Sequence, residues 1–555
     1  MPAQRADLFG VGPSQQVTIQ TLPDEVLLNI FRHHLDASPH FWPTLAHVCQ
    51  NWRQILFTSP LGLGLRLYCT YGTPVLKTLE CWPPLPLVVN YGGSPTLDPP
   101  APEDEKNIIA ALRQSDRVSF ISLTVTNSLL ENLSTISEPF SELEELVLLS
   151  RHNLRLTLPS AFRWGPRLRT LHLTRIAIPA LLQLLSPSMD LVDLQLHEIP
   201  NVGYFSPEAF VNALSRMPHL RSLSLHFLSF LPRRNYLVLP PSGERVVLPA
   251  LTCLKYRGTS KYLDSLVARI DSPRLGDIDI TFFNQPTMDA SELSRFIERI
   301  ETQMSLSQVE VQTSAHAISI SFYNSSTTSP LRLQISCKQL DWQLSCMAQV
   351  CDQFSSFLFR VESLGINTTQ SSTGQDDVNG EQWLELVRSF SGARDLRVAD
   401  ALTIDILCAL GLADGGHATV LPALRHLRLE DPIVMNEPSW DALETFLTSR
   451  SLSCPPVQVN VPLYQCQICH AGFRQHQGLE RHLVDKHAYR IVCSYCDLGC
   501  MGHNIFREHL ASNHIEVALD DPLVLNPLST PLLPFQLDSL VNRHSSLRKP
   551  DIVAP

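Results

Sequence analysis

Between residues 22 and 57 the apolar positions recur at helical spacing. Val26, Leu27, Ile30 and Phe31 share one face of a helix predicted to start near Asp24, which follows Leu22-Pro23 and is placed to cap it. Ser38-Pro39 and Pro43 break the stripe. A second one follows through Leu45, Val48, Cys49, Trp52, Ile55 and Leu56. Two or three helices this short cannot bury so much apolar surface among themselves, so another partner is expected.

From about residue 104 the period changes. A short L-x-x-L-x-L pattern, with substitutions, recurs every 23 to 32 residues. Its middle apolar position falls at Ile121, Leu146, Leu171, Leu194, Leu223, Leu254, Ile278 and Val309, and again at Leu364, Leu396 and Leu427. Helical patterns lie between copies: Pro207 to Met217, Tyr262 to Ile270, Ser291 to Met304, Glu381 to Phe390, Ile404 to Leu412 and Trp440 to Leu447. Each unit is a strand followed by a helix. Neither buries its apolar side alone, and stacking makes one core. The period fails from His316 to Leu358, which predicts two alternating strands, Ile318 to Phe322 and Leu331 to Ile335, and then a helix around Trp342 to Phe354.

The predicted organisation is a loose leader (1–16), a helical unit (17–60), connecting strands and turns (61–103), the repeat domain (104–450), a linker (451–462), a cysteine- and histidine-rich segment (463–518) and a disordered tail (519–555). The tail is Leu-, Pro- and Ser-rich and holds no sustained period, so disorder or a short partner-binding segment is expected. The polar stretch Gln370 to Gly380 predicts a loop.

Leu22-Pro23, Glu25, Leu27-Leu28, Ile30-Phe31, Leu35, Leu45, Val48-Cys49, Trp52 and Arg53 follow one another in the order of an F-box, which the stretch resembles. The join from Asp36 to Pro43 is wider than the family's. The resemblance implies docking on the Skp-type linker subunit of a cullin–RING (SCF-type) ubiquitin ligase, through a face expected to contain Leu22, Pro23, Leu27, Ile30, Phe31, Val48 and Trp52. The repeats resemble the irregular leucine-rich repeats found behind F-boxes. They lack that family's Asn or Cys three residues after the last Leu, where Ile176, Ile199 and Leu228 stand.

The segment from 464 to 514 carries the strongest chemical signal. Cys466 and Cys469 are two residues apart, His482 follows after twelve, and His487 after four more. Cys493, Cys496, His509 and His514 repeat that spacing. A C-x2-C knuckle aims two thiolates at one ion, and two His one helical turn apart supply imidazoles from one face; such a set suits tetrahedral Zn2+. Two Zn2+ ions are expected, in two ββα units that closely resemble two-Cys-two-His zinc fingers. Tyr464, Phe473 and Leu479 supply the first small core. In the second, Cys500 stands for the Phe and Phe506 for the Leu.

Base-reading positions would be Gln475, Gly478 and Arg481, then Gly502, Ile505 and Glu508; only Gln475 and Arg481 suit base edges. From Pro462 to Ala518 five Lys/Arg meet five Asp/Glu, so phosphate attraction is weak and a protein-binding or structural finger pair is favoured over DNA readout. The net charge of −11 also argues against a general nucleic-acid binder. A zinc-finger nuclear regulator is the alternative reading, and salt-dependent DNA binding would favour it.

Neither a secretory signal nor a stretch of transmembrane length is found, so an intracellular address and no membrane partner are expected. The remaining cysteines are scattered singly in apolar context, as reduced thiols are; the chain has 14 in all. No hydrolase, P-loop, zincin or dinucleotide motif occurs, and Glu142, Glu144 and Glu145 fit a solvated surface better than an acid/base pair. The expectation is a non-enzyme: an adaptor that selects an unknown protein target. In leucine-rich repeats the strand positions flanking the leucines line the concave face. That column places His172, His197, His226, Lys255 and Arg257 together, facing an acidic or phosphorylated segment whose binding should strengthen as the His protonate below about pH 6.5.

Overall fold

The computed structural model describes residues 22–60, 62–92, 100–155 (except 134 and 137), 167–177, 190–229, 245–301, 306–324, 331–368, 380–398, 402–412, 420–429, 437–450 and 456–460. It also describes 19, 185, 464–465, 472–473, 482, 490–493, 499–500, 509–510, 512 and 545–548. The chain forms two compact units, residues 1–258 with 269–275, and residues 259–268 with 276–555.

The first unit opens with α1 (Asp24–Ala37), α2 (Trp42–Val48) and α3 (Gln50–Thr58). The proline-containing join becomes a 3-10 turn, Pro39–Phe41, running directly into α2. Its prolines sit in first turns, where no backbone donor is needed. Asp24 is not the cap. Pro23 takes that position without a side-chain bond, and Asp24 and Glu25 lie in the first turn, where carboxylates suit the helix's positive end. Cys49 does cap α3, its Sγ accepting from the Trp52 amide at 3.5 Å.

Strands β1 (Leu67–Cys69), β2 (Leu87–Tyr91), β3 (Val118–Thr124), β4 (Glu145–Arg155), β5 (Thr170–Ala177), β6 (Asp193–Ile199) and β7 (Ser222–Phe227) follow; then come β8 (Val246–Val247), β9 (Cys253–Gly258) and β10 (Ile270–Asp271). Helices α4 (Val75–Cys81), α5 (Pro102–Leu112), α6 (Asn127–Leu133) and α7 (Pro207–Leu214) lie between them in sequence. Strands β1 to β7 and β9 pair in parallel in chain order, while β8 and β10 form a separate two-strand pair. The register aligns Ile121, Leu146, Leu171, Leu194, Leu223 and Leu254 in one continuous row. All six are buried. These are the middle positions of the repeat, so the pattern carries the pairing itself.

The sheet begins earlier than the pattern. Cys69 faces Val89 and Val89 faces Ile121, so the stretch expected to connect two domains supplies the sheet's first two strands. The family's Asn positions are also filled differently. The ladder slips between Leu149 and Leu154 and between Leu196 and Ile199. There Arg175 and Glu198 take left-handed φ of 60° and 50°, and their side chains form an ion pair. Such bulges re-aim the following residue. Ile176 and Ile199 turn into the core, whereas Leu228 stays exposed.

The second unit holds α8 (Ser260–Val267), β11 (Asp277–Phe283), α9 (Ser291–Glu301), β12 (Leu306–Ser314), β13 (Ala317–Asn324), β14 (Leu331–Ser336), α10 (Leu340–Gln353) and α11 (Ser355–Leu358). It continues with β15 (Ser363–Thr368), α12 (Gly380–Arg388), β16 (Asp395–Val398), α13 (Thr403–Leu412), β17 (His426–Leu429), α14 (Glu437–Arg450) and β18 (Gln458–Asn460). The lost period has a physical cause. Here β13 lies antiparallel between β12 and β14, and parallel pairing resumes with β15. Ile278 faces Leu331, and Val309 faces Leu364, Leu396 and Leu427 in turn. The expected linker contains β18, which pairs with β17. Of the loop expected from Gln370 to Gly380, residues 370–379 lie outside the described residues, and Gly380 begins α12.

Two small hairpins follow, β19 (Tyr464–Gln465) with β20 (Gly472–Phe473), and β21 (Arg490–Cys493) with β22 (Gly499–Cys500). In the tail, Ser545–Arg548 forms β23, which pairs antiparallel with β21 on the side away from β22.

Candidate functional site

In the helical unit, alternating burial separates core from surface on α1. Leu27 and Phe31 are 0% and 1% exposed, whereas Val26 and Ile30 are 42% and 43% exposed. Phe31 packs edge-on against Trp52 at 4.8 Å. Leu27 and Phe31 therefore hold the unit together and cannot be docking residues as expected. An apolar stripe about 100° wide straddles the interior boundary, and only the positions of α2 and α3 decide which side each residue takes. Pro23 and Val48 are exposed, Val48 at 58%, and Leu22 and Trp52 are half-buried. The outward set is thus Pro23, Val26, Ile30 and Val48, with Leu22 and Trp52 less exposed.

Trp42, from the join, is the residue sequence reasoning missed. It is 1% exposed; its Nε1 donates to the Arg66 carbonyl at 2.7 Å and its ring meets Trp82 at 4.7 Å. Trp42 therefore ties the helices to the chain leading into β1. Its place between two prolines, outside either stripe, hid that role.

On the sheet, the core-facing leucines alternate with half-buried polar residues. His172 lies opposite Gln195, then Ser224 and Lys255; Thr174 lies opposite His197, and His226 opposite Arg257. The five expected residues do share one surface. His197 and His226 stack at 4.4 Å and 13°, and His172 meets His197 edge-on at 4.8 Å. Ser224 Oγ lies 2.8 Å from His197 Nε2 and 3.4 Å from His226 Nε2.

This arrangement overturns the expected pH response. Burial pushes His197 and His226 down to about 4, helped by the neighbouring His, Lys255 and, for His226, Arg257. Burial lowers His172 too, against the pull of Asp193. The His197 and His226 imidazoles are therefore neutral across pH 5 to 8, so these two add no positive charge just below pH 6.5. A single strand could not reveal this, because the burial comes from packing between strands, and the histidines and cations that add to it stand on adjacent strands.

The acidic cluster is partly paired: Glu142 bonds Arg167, and Glu144 lies 3.9 Å from Arg66. Burial raises Glu145, with Asp193 adding to the shift and Arg66 opposing it.

Of the eight expected zinc ligands, Cys466, Cys469, His487, Cys496 and His514 lie outside the described residues, as do the base-reading positions. Cys493 ends β21, His482 is half-buried and His509 is buried. The hairpins can still be compared. Tyr464 faces Phe473 and Ile491 faces Cys500, two residues before the first Cys and four after the second in both units. Equal register about two C-x2-C knuckles fits the donor set, and it survives the replacement of Phe by Cys500.

Residues 19–61 match the F-box-like family model. No curated protein matches the chain. Among solved structures, a leucine-rich-repeat protein of Leptospira interrogans is similar at 12% identity and a TM-score of 0.20, over 70% of this chain and 99% of its own. The N-terminal helices form an F-box-like domain, and the parallel-rich α/β sheet region that follows is compatible with a leucine-rich-repeat-like solenoid.

Proposed function

We propose that the chain is the substrate-recognition adaptor of an SCF-type ubiquitin ligase, docking on the Skp-type linker subunit through Pro23, Val26, Ile30 and Val48. The observation that carries this reading is an exposed apolar face on the one stretch that matches the F-box-like family. Ubiquitin transfer then belongs to other subunits, and the chain acts inside the cell as a non-enzyme. No helix among the described residues is long and apolar enough to cross a membrane. The sheet surface around Lys255 and Arg257 selects the target. The test is co-purification of the full chain with the linker subunit. Val26→Asp with Ile30→Asp should abolish it while the unfolding midpoint holds; undiminished capture would end the adaptor reading.

The same reading gives the C-terminal segment two Zn2+ ions, one held by Cys466, Cys469, His482 and His487, the other by Cys493, Cys496, His509 and His514. The equal register of the hairpins supports it. Zinc here supplies cross-links: binding contributes on the order of 10 kcal/mol to folding such a unit. Elemental analysis of the full chain should give two zinc, falling to one in Cys493→Ser; one zinc in the unaltered chain would mean the second unit is degenerate.

A further inference from the structure

A groove of about 490 Å³ lies in the first unit where the strands begin, lined by Arg169, Asp190, Val192, His219, Arg221 and Arg274, with Ala250. Arg169, Val192 and Arg221 immediately precede β5, β6 and β7. Their backbones continue the ladder, the Val192 amide donating to the Arg169 carbonyl at 2.8 Å and the Arg221 amide to the Val192 carbonyl at 2.7 Å. Arg169 and Arg221 therefore stand two strand spacings apart, about 10 Å, with an uncharged residue between them. The arrangement follows from the repeat: LRTLHL and LRSLSL carry Arg at the same position, and LVDLQL carries Val.

Other arginines of this unit have partners. Arg167 bonds Glu142, Arg175 bonds Glu198 and Arg269 bonds Glu208. Arg169, Arg221 and Arg274 pair with no carboxylate among the described residues, and all three are exposed. Three guanidinium charges and His219 thus face one groove against the single carboxylate of Asp190, in a chain whose net charge is −11. Guanidinium forks bind planar oxyanions in pairs of parallel hydrogen bonds and stay charged at every physiological pH.

We infer that this groove binds an acidic segment of a partner protein, extended across the strand starts and presenting carboxylates three residues apart. In a polyproline-type extended segment, residues i and i+3 share a side and stand about 9 Å apart, close to the Arg169–Arg221 spacing. The Arg274 guanidinium receives a further acidic group. Asp190 would repel a continuous run of phosphates, which disfavours nucleic acid. The site goes beyond the adaptor reading and stands whether or not the helices dock.

The test is anisotropy of a labelled nine-residue peptide carrying Glu at positions i and i+3, with the full-length chain at low salt. The expected result is binding at least tenfold tighter than that of the Gln counterpart, with Glu at i and i+1 binding less well. R169E with R221E should lose at least tenfold and recover part of it with a peptide carrying Lys at the same places. Arg274→Ala should lose severalfold with an unchanged unfolding midpoint, and Asp190→Asn should bind more tightly. Lys106→Glu, which reverses an exposed charge elsewhere in the unit, should change nothing. Equal binding by R169E with R221E would overturn the inference. So would an equal loss in Lys106→Glu, or a preference for single-stranded RNA, inorganic phosphate or a phosphoserine peptide over the Glu peptide.

Discussion

On α1 to α3 the apolar side chains divide between an interior, Leu27, Phe31, Leu35, Ile55 and Leu56, and a surface, Val26, Ile30 and Val48. In β3 to β9 the repeating apolar row from Ile121 to Leu254 is interior throughout. The two regions therefore show candidate function in opposite chemistry. A short helical unit has too little interior for its apolar residues, and those left outside form a candidate docking face. A stacked sheet has interior for every leucine of its pattern, so its surface candidates are polar. They are the half-buried histidines with Lys255 and Arg257, and the arginines at the strand starts.

The largest effect should come from exchanging inside for outside. Phe31→Ala is expected to cost about 3–5 kcal/mol and Leu194→Ala about 2–5 kcal/mol, read by denaturant unfolding. Ile30→Ala should leave the midpoint nearly unchanged. If Ile30→Ala destabilised as much as Phe31→Ala, the division within the helices would be wrong.

Binding comes next. Val48→Asp should weaken capture of the linker subunit by about a hundredfold, roughly 3 kcal/mol, with unfolding unaltered. The same subunit should bind a Lys255→Glu, Arg257→Glu chain as well as the unaltered one, while the captured target set changes. An unchanged target set would remove the sheet face from recognition.

A smaller effect concerns the neutral histidines. Their folded pKa of about 4 lies below the unfolded value of about 6.5. The unfolded chain therefore binds more protons between those values, so their contribution to stability is complete above pH 6.5 and is lost as pH falls toward 4. His197→Gln with His226→Gln should flatten that acid loss by on the order of 2 kcal/mol in pH-dependent unfolding. Identical acid slopes in both proteins would show that the histidines are solvated.

The repeat's middle positions were legible because burial forces each strand to offer the same residue to its neighbours, and Ile121 through Leu254 pair as the pattern requires. The two strands that break the period were legible as alternation at 318–322 and 331–335, but their antiparallel pairing was not. The ends of the sheet were legible only in part. Strands were expected within 61–103, but not that they join the sheet; Gln458–Asn460 is three residues long, too short to show a period, and its strand character comes from pairing. The helical stripe showed that a face existed without showing which residues turn inward. Trp42 was hidden because its partners, Arg66 and Trp82, lie 24 and 40 residues away.

Hydrogen–deuterium exchange of the full chain, with and without the Skp-type linker subunit, tests the central claim most directly. The account predicts new protection over α1 and the α2–α3 stretch, residues 23 to 33 and 45 to 54, and none over β5 to β9. Protection confined to the sheet, with the helices exchanging as before, would contradict it.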